Sequence, residues 1–339
     1  MAIEGKRIFV TGGAGFVASH LIDRLADANE VTIFDNFRRN AMAGTRLETH
    51  PHVRVVRGDV MDAEALARAA AGHDLVVHAA AIAGVETVLR NAVTTMKVNL
   101  LGTLHALEAA VRAGRCERFL NFSTSEVFGT HSYRNDEDDF TPMGSVGEAR
   151  WTYAASKLAG EHLAHAYHRE RGVPVVTVRP FNIYGPRQVG EGAIHAFITR
   201  ALRNEDLLVH GTGEQLRSWC YVGDIVDALV LCLGNPAGVG HCFNLGNPRA
   251  TLTVHTLAQS VVRVCESSSR LVLVPRPYAD VELRVPNIDK ARRVLGFEPR
   301  VDIEEGLRRT AAWYRERGRG GGEAERRRVG ESESPRVWE

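Results

Sequence analysis

The chain lacks most marks of a secreted, metal-bound, membrane or nucleic-acid protein. Its 339 residues include five cysteines, at 116, 220, 232, 242 and 265, with no C-x-x-C pair. Neither a disulfide framework nor a zinc site of that spacing is expected, and the thiols read as reduced, in a cytoplasmic protein. Its 14 histidines include no H-x-x-x-H pair in a metal-site context, so no metal is expected. No apolar run approaches the ~20 residues of a membrane span. Lys and Arg total 42 against 41 Asp and Glu, a net charge of +1, which argues against a nucleic-acid or polyanion partner. The opening "MAIEGKRIFVTGG" enters a strand pattern directly and reads as having no signal peptide. Apolar content of 44% and charged content of 24% fit a globular protein of one large or two modest domains.

Short apolar runs alternate with helical periods over the first 180 residues. Strands are expected at 7–12, 30–35, 53–59, 75–81, 118–124 and 174–180, and helices at 14–28, 62–71, 91–113 and 152–171. Apolar strands alternating with helices imply an α/β fold, a parallel sheet covered on both faces. The right-handed crossover rule makes that sheet doubly wound. After 180 the loops lengthen. Residues 181–317 read as a smaller α/β substrate-binding domain, with strands near 215–247 returning to the main sheet. From 318 the composition "GRGGGEAERRRVGESESPRVWE" predicts a disordered tail.

The turn "VTGGAGFVASHL" follows the first strand, with Gly12 and Gly15 in a G-x-x-G-x-x-G spacing and Ala18 in the third place. Glycine there permits a tight turn and close approach of a pyrophosphate to backbone N–H groups at a helix N-terminus. A turn of this kind also occurs without a ligand. Asp35 strengthens the nucleotide reading. It ends the second strand 23 residues after Gly12, where an acid accepts from a ribose diol and repels a 2′-phosphate, favouring NAD. Arg38 and Arg39 weaken that exclusion. Asp59, after the third strand, is either an adenine contact or a simple turn acid.

"YAASK" sets Tyr153 and Lys157 four residues apart, on one face of a helix. A nearby ammonium favours the phenolate, which makes Tyr153 a candidate general base. The same pair also arises on ordinary amphipathic helices. "STSEVFG" adds Thr124, Ser125 and Glu126, two hydroxyls and a carboxylate at the end of an apolar strand.

Together "TGGAGF", Asp35, the hydroxyl after the central strand and Y-x-x-x-K resemble the extended short-chain dehydrogenase/reductase superfamily, over roughly residues 5–317. "RPFNIYGPR" (179–187), "HGTGEQLRSWCYVGDI" (210–225) and "FNLGN" (243–247) resemble its nucleotide-sugar branch. The resemblance implies NAD as cofactor, held by Gly12, Gly15, Phe16, Val17, Asp35, Asn36, Phe37, Arg39, Asp59, Val60, Ala79, Ala81, Tyr153 and Lys157. It implies a UDP-sugar held by Asn182, Arg187, His210 and Arg217, a Rossmann domain over 1–180, and a homodimer through a four-helix bundle built from 91–113 and 152–171. Arg217 taken alone is also readable as a surface charge, and those helices as burying their apolar faces on the sheet.

Enzymes of that branch begin by oxidising C4 of the sugar. A 4,6-dehydratase resembles "T-D-E" where this chain reads T-S-E, which is the form of the UDP-glucuronate decarboxylases. Oxidation at C4 places the C6 carboxylate β to a ketone, so CO₂ leaves with its electrons flowing into an enolate. "ELRVPNIDKARRVLGFEP" (282–299) resembles the decarboxylases' R-x-P-x-I segment, which puts Arg284 near the substrate carboxylate. "ARWTYAASK" and "HAAAIAG" are closer to the forms that release a 4-keto pentose. The expected catalytic set is Thr124, Ser125, Glu126, Tyr153, Lys157 and Arg284, with UDP-xylose, UDP-4-keto-xylose or both as product. The alternatives are a 4-epimerase, a 4,6-dehydratase or a catalytically silent sensor of NAD or a sugar nucleotide.

Overall fold

A computed structural model describes residues 3–275 and 280–320. The first half alternates strands and helices: β1 (Arg7–Thr11), α1 (Phe16–Leu25), β2 (Glu30–Asp35), β3 (Val53–Arg57), α2 (Ala63–Ala70), β4 (Leu75–His78), α3 (Val85–Arg90), α4 (Ala92–Ala113), β5 (Arg118–Phe122), β6 (His131–Tyr133), α5 (Ala149–Arg171) and β7 (Val175–Pro180). The second half continues with β8 (Ile183–Tyr184), α6 (Ala193–Ala201), β9 (Leu207–His210), β10 (Leu216–Ser218), β11 (Cys220–Tyr221), α7 (Val222–Gly234), β12 (Cys242–Leu245), β13 (Thr251–Thr253), α8 (Val254–Cys265), β14 (Leu271–Val274), β15 (Leu283–Val285), α9 (Asp289–Leu295) and α10 (Ile303–Gly320).

Among the described residues, seven strands form one parallel sheet in the order β12-β7-β5-β4-β1-β2-β3. Successive side chains of a strand face opposite sides, so β1 splits its apolar residues between two layers. Ile8 and Val10 join the layer with Leu21, Ile225 and Leu229 from α1 and α7. Phe9 joins the layer with Leu66, Leu107 and Ala164 from α2, α4 and α5. A strand covered on both faces has no place for polar alternation, hence the unbroken apolar runs in the sequence.

A third cluster, with Phe197, Leu207, Leu257 and Leu307, holds α6, α8 and α10 together. A four-stranded sheet, β13-β10-β15-β6, lies apart from the main one. Three outcomes differ from expectation. Of the strands near 215–247, β12 joins the main sheet, whereas β10 and β11 belong to smaller sheets. The loop expected at 130–149 contains β6, and α5 begins at Ala149 rather than 152. Residues 318–320, expected to begin a tail, continue α10, and the remainder of that tail lies outside the described residues.

Candidate active site

The nucleotide half is shaped by backbone. Gly12 has φ 69°, and a Cβ there would lie 2.6 Å from the Ala80 backbone nitrogen, so only glycine lets the β1–α1 turn cross the chain leaving β4. Gly15 caps α1 with no side-chain cap bond, which leaves the first N–H groups of the helix available to an anion. A cleft of about 410 Å³ opens here, lined by Gly12, Gly15, Phe16, Asp35, Asn36, Arg39, Asp59, Val60, Ala79 and Ala81 among others. Asp35 accepts from the backbone N–H groups of Ala14 (3.0 Å) and Phe37 (2.7 Å). A carboxylate offers about four acceptor sites, so room remains for a ribose diol. Asn36 donates to Asp59 at 3.0 Å. Arg39 lies 3.7 Å from Glu191 and donates to Thr87, so its charge is already paired rather than presented to a 2′-phosphate.

Two candidates of this half sit elsewhere. Val17 and Phe37 pack against the core rather than lining the cleft, because the helical turn and the left-handed backbone of Phe37 (φ 62°) carry them inward.

The chemical half begins where β5 ends. Thr124 caps the short turn Ser125–Phe128 by accepting from the Glu126 N–H at 3.2 Å, and its hydroxyl is close enough to Tyr153, on the first turns of α5, to lower that phenol's pKa. Burial pushes Tyr153 up to about 12. The Thr124 hydroxyl pulls it back, and the Glu126 carboxylate adds to the rise. Burial pushes Lys157 down to about 8, against the pull of Glu161. The expected lowering of Tyr153 by Lys157 is therefore replaced by desolvation as the dominant influence on both groups.

Beside this pair lies a buried cluster of charge. β10 and β15 are parallel neighbours, and Arg217 pairs directly with Arg284 in their register. Like charges directly opposite on a sheet are destabilising, so anions must hold them. Arg284, 1% exposed, contacts Glu126 at 2.9 Å, reaches Ser125 at 3.5 Å and donates to the Gly129 carbonyl. Arg150 clasps Glu126 through two bonds of 3.0 and 3.1 Å and Asp280 at 2.9 Å. Arg217 contacts Asp280 at 3.2 Å and donates to the Val281 carbonyl. Burial pushes the Glu126 carboxyl up, but Arg284 and Arg150 outweigh it and hold it below the usual range. Glu126, expected in the catalytic set, is a carboxylate clamped between Arg150 and Arg284. Burial lowers Arg217 to about 10 and also lowers Arg284. Among the described residues, three guanidiniums face two carboxylates here, an excess of positive charge suited to an anionic ligand.

Three of the four expected sugar-nucleotide residues stand outside this cluster. Asn182 donates to the Ser218 carbonyl at 3.0 Å, tying β8 to β10. Arg187 pairs with Asp23 of α1 at 2.6 Å, which makes it a strut between segments, apart from the arginine cluster. His210 ends β9, in a sheet distinct from the one carrying Arg217 and Arg284.

Several residues that the sequence did not single out complete the site. Arg150 and Asp280 bridge the cluster. Trp151 helps to place Arg150 by seating on Gly144, where a Cβ would lie 1.9 Å from its indole nitrogen. Asn99 of α4 holds both polar groups of Ile82 and donates to Ser156, next to Lys157. His78 is wedged between Thr11 (2.8 Å) and Thr103 (3.1 Å). "R-W" three and two residues before Tyr153 was the available signal for Arg150. Nothing local marks Asp280, Asn99 or His78.

Residues 8–246 match the NAD dependent epimerase/dehydratase family. The chain is 38% identical to UDP-glucuronic acid decarboxylase 1 of Arabidopsis thaliana, over 92% of this chain and 70% of that protein. It is 34% identical to UDP-N-acetyl-alpha-D-glucosaminuronate decarboxylase of Bacillus cytotoxicus, over 92% of this chain and 98% of that protein. Among solved structures it resembles UDP-glucuronic acid 4-epimerase of Bacillus cereus in complex with UDP-glucuronic acid and NAD, with TM-score 0.84, 28% identity, 91% of this chain and 99% of that one covered. The chain belongs to the NAD dependent epimerase/dehydratase family, and NAD is its cofactor.

Proposed function

We propose that this chain decarboxylates UDP-glucuronate by oxidation at C4 and loss of CO₂, giving UDP-xylose, UDP-4-keto-xylose or both. The observation that carries this reading is the buried three-arginine cluster beside the Thr124–Tyr153 pair, where Arg284 touches both Ser125 and Glu126. Residues 1–180 with β12 are assigned to NAD and 181–317 to the sugar nucleotide.

A bound NAD would supply the hydride acceptor for oxidation at C4, held by the residues of the nucleotide cleft. Tyr153 takes the C4 hydroxyl proton, Thr124 orients that oxygen, and Lys157 holds the adjoining ribose. Oxidation leaves the carboxylate β to a ketone. Arg284 and Ser125 hold that carboxylate, and the donors around the C4 oxygen stabilise the enolate left by departing CO₂; a proton at C5 then gives the 4-keto pentose, and return of the hydride to C4 with the Tyr153 proton to its oxygen gives UDP-xylose. Such preorganised donors act most strongly in a buried site. Ser125 stands where a dehydratase keeps an acid, so loss of water has no proton donor at that place. Glu126, clamped between Arg150 and Arg284, holds both guanidiniums beside Ser125.

The relative that acts on the N-acetyl uronate supports a second substrate with the same carboxylate and a different C2 group. Both sugar nucleotides are incubated with the NAD-loaded enzyme and CO₂ release is measured. Faster release from UDP-glucuronate is expected. No release from either substrate contradicts the reading.

A homodimer through α4 and α5 is supported by Val93 (70% exposed), Leu101 and Val111 on α4, and light scattering tests it. A cytoplasmic location is supported by five unpaired thiols.

A further inference from the structure

We propose that Glu161 is a positioning residue of the reaction: held by Arg179 and Ser123, it fixes the turn of α5 that carries Lys157 against the strand end that carries Thr124. The proposal rests on the C4-oxidation reading. Glu161 lies one helical turn beyond Lys157, on the same face. Arg179 of β7 clasps its carboxylate with Nε at 2.9 and 3.1 Å and Nη2 at 2.7 Å. Ser123, the residue before Thr124, donates its hydroxyl to the same carboxylate. Arg179 is anchored in turn by the Glu137 carbonyl at 2.9 Å, and its guanidinium lies 4.9 Å from the centre of the Phe128 ring, beneath the turn bearing Ser125 and Glu126. One ion pair thus touches the strand end, the catalytic turn and the catalytic helix.

Stability alone does not account for this pair. Ser123, Glu161 and Arg179 are all buried, and an apolar pair of similar volume is often as stable as a buried ion pair. A carboxylate fixed next to Lys157 does what an apolar residue cannot, which is to favour the ammonium in a desolvated place. The ionisable groups near Lys157 are Glu161 and Tyr153 on its own helix and His78 on β4, and burial keeps both Tyr153 and His78 neutral. Glu161 is therefore the carboxylate that opposes the desolvation of the Lys157 ammonium, while the same bonds set its position.

The test uses the full-length NAD-loaded enzyme and the double variant Glu161→Gln/Arg179→Met, which removes both charges together. Selective carbon-13 labelling of lysine gives four side chains to follow by NMR, at 6, 97, 157 and 290. Lys157→Met assigns the resonance. Lys157 is expected to titrate near 8 in the unaltered protein and lower in the double variant. The kcat for CO₂ release is expected to fall roughly 10- to 100-fold, with KM little changed. Glu161→Asp keeps the charge but shortens the reach, and should retain the titration with an intermediate loss of kcat. A folded double variant with unchanged kcat, or with an unmoved Lys157 titration, overturns the proposal. Should the double variant fail to fold, an unchanged kcat in Glu161→Asp overturns it equally. If the unaltered enzyme releases no CO₂, the functional reading fails, and the lysine titration still decides the role of Glu161.

Discussion

Around the cleft lined by Gly12, Asp35 and Ala79 the protein offers a glycine turn, a helix N-terminus and many small side chains, whereas around Glu126 the described residues gather three guanidiniums and two carboxylates, buried or nearly so. The first region recognises by shape. A glycine turn and a helix N-terminus hold any pyrophosphate of the right length, and they leave open what chemistry follows. The second region recognises by charge in a desolvated place, where interactions are strong and mismatches costly. Arg217 and Arg284 stand directly opposite on neighbouring strands, an arrangement that is tolerable only with anions between them. The comparison teaches that cofactor and reaction are specified by different physics within one site.

The largest effect that separates the two regions is expected from Tyr153→Phe. Turnover should fall roughly 10²- to 10⁴-fold while NAD still binds, measured by CO₂ release alongside cofactor titration. Turnover close to that of the unaltered enzyme would remove Tyr153 as the base.

Arg284→Met should cut kcat for CO₂ release by about 100-fold and leave NAD affinity intact. Because the C4 oxidation does not need that guanidinium, NADH absorbance should build up during the reaction. A variant that loses NAD instead would break the division between the regions. Asp35→Ala acts from the other side: NAD affinity should drop about tenfold, the preference against NADP should narrow, and KM for the sugar nucleotide should stay put.

The smallest effect concerns stability where the regions meet. Burial, together with the Lys157 ammonium, pushes His78 down to about 3 from an ordinary 6.5. The unfolded chain therefore binds more protons than the folded one between those values. The contribution of His78 is fully present above pH 6.5 and fades as pH falls towards 3. His78→Asn should flatten the decline of Tm over that range, with a small loss at neutral pH.

The two regions were unequally legible in the sequence. Gly12, Gly15 and Asp35 announce themselves because a tight turn and a strand-ending acid are local requirements, met within a few residues. The sheet was legible for the same reason: its buried strands carry unbroken apolar runs. The arginine cluster draws on positions 126, 150, 217, 280 and 284, so only chain folding brings it together. Arg217, Arg284 and Glu126 were found through resemblance, and Arg150 and Asp280 were missed. Arg187, implied by the same resemblance, pairs with Asp23, far back in the chain, a partner that no local pattern announces. An arginine carries no address in its own neighbourhood. The same holds for Tyr153, whose spacing from Lys157 was plain but whose burial, the main influence on its proton, belongs to the fold.

The most direct test of the account uses UDP-glucuronate carrying carbon-13 at C6, incubated with the NAD-loaded enzyme and followed by NMR and mass spectrometry. The account predicts that the label leaves as CO₂ and that the remaining sugar nucleotide is a pentose or its 4-keto form. A label retained in a product of unchanged mass with inverted C4, or in one that has lost water, would contradict it.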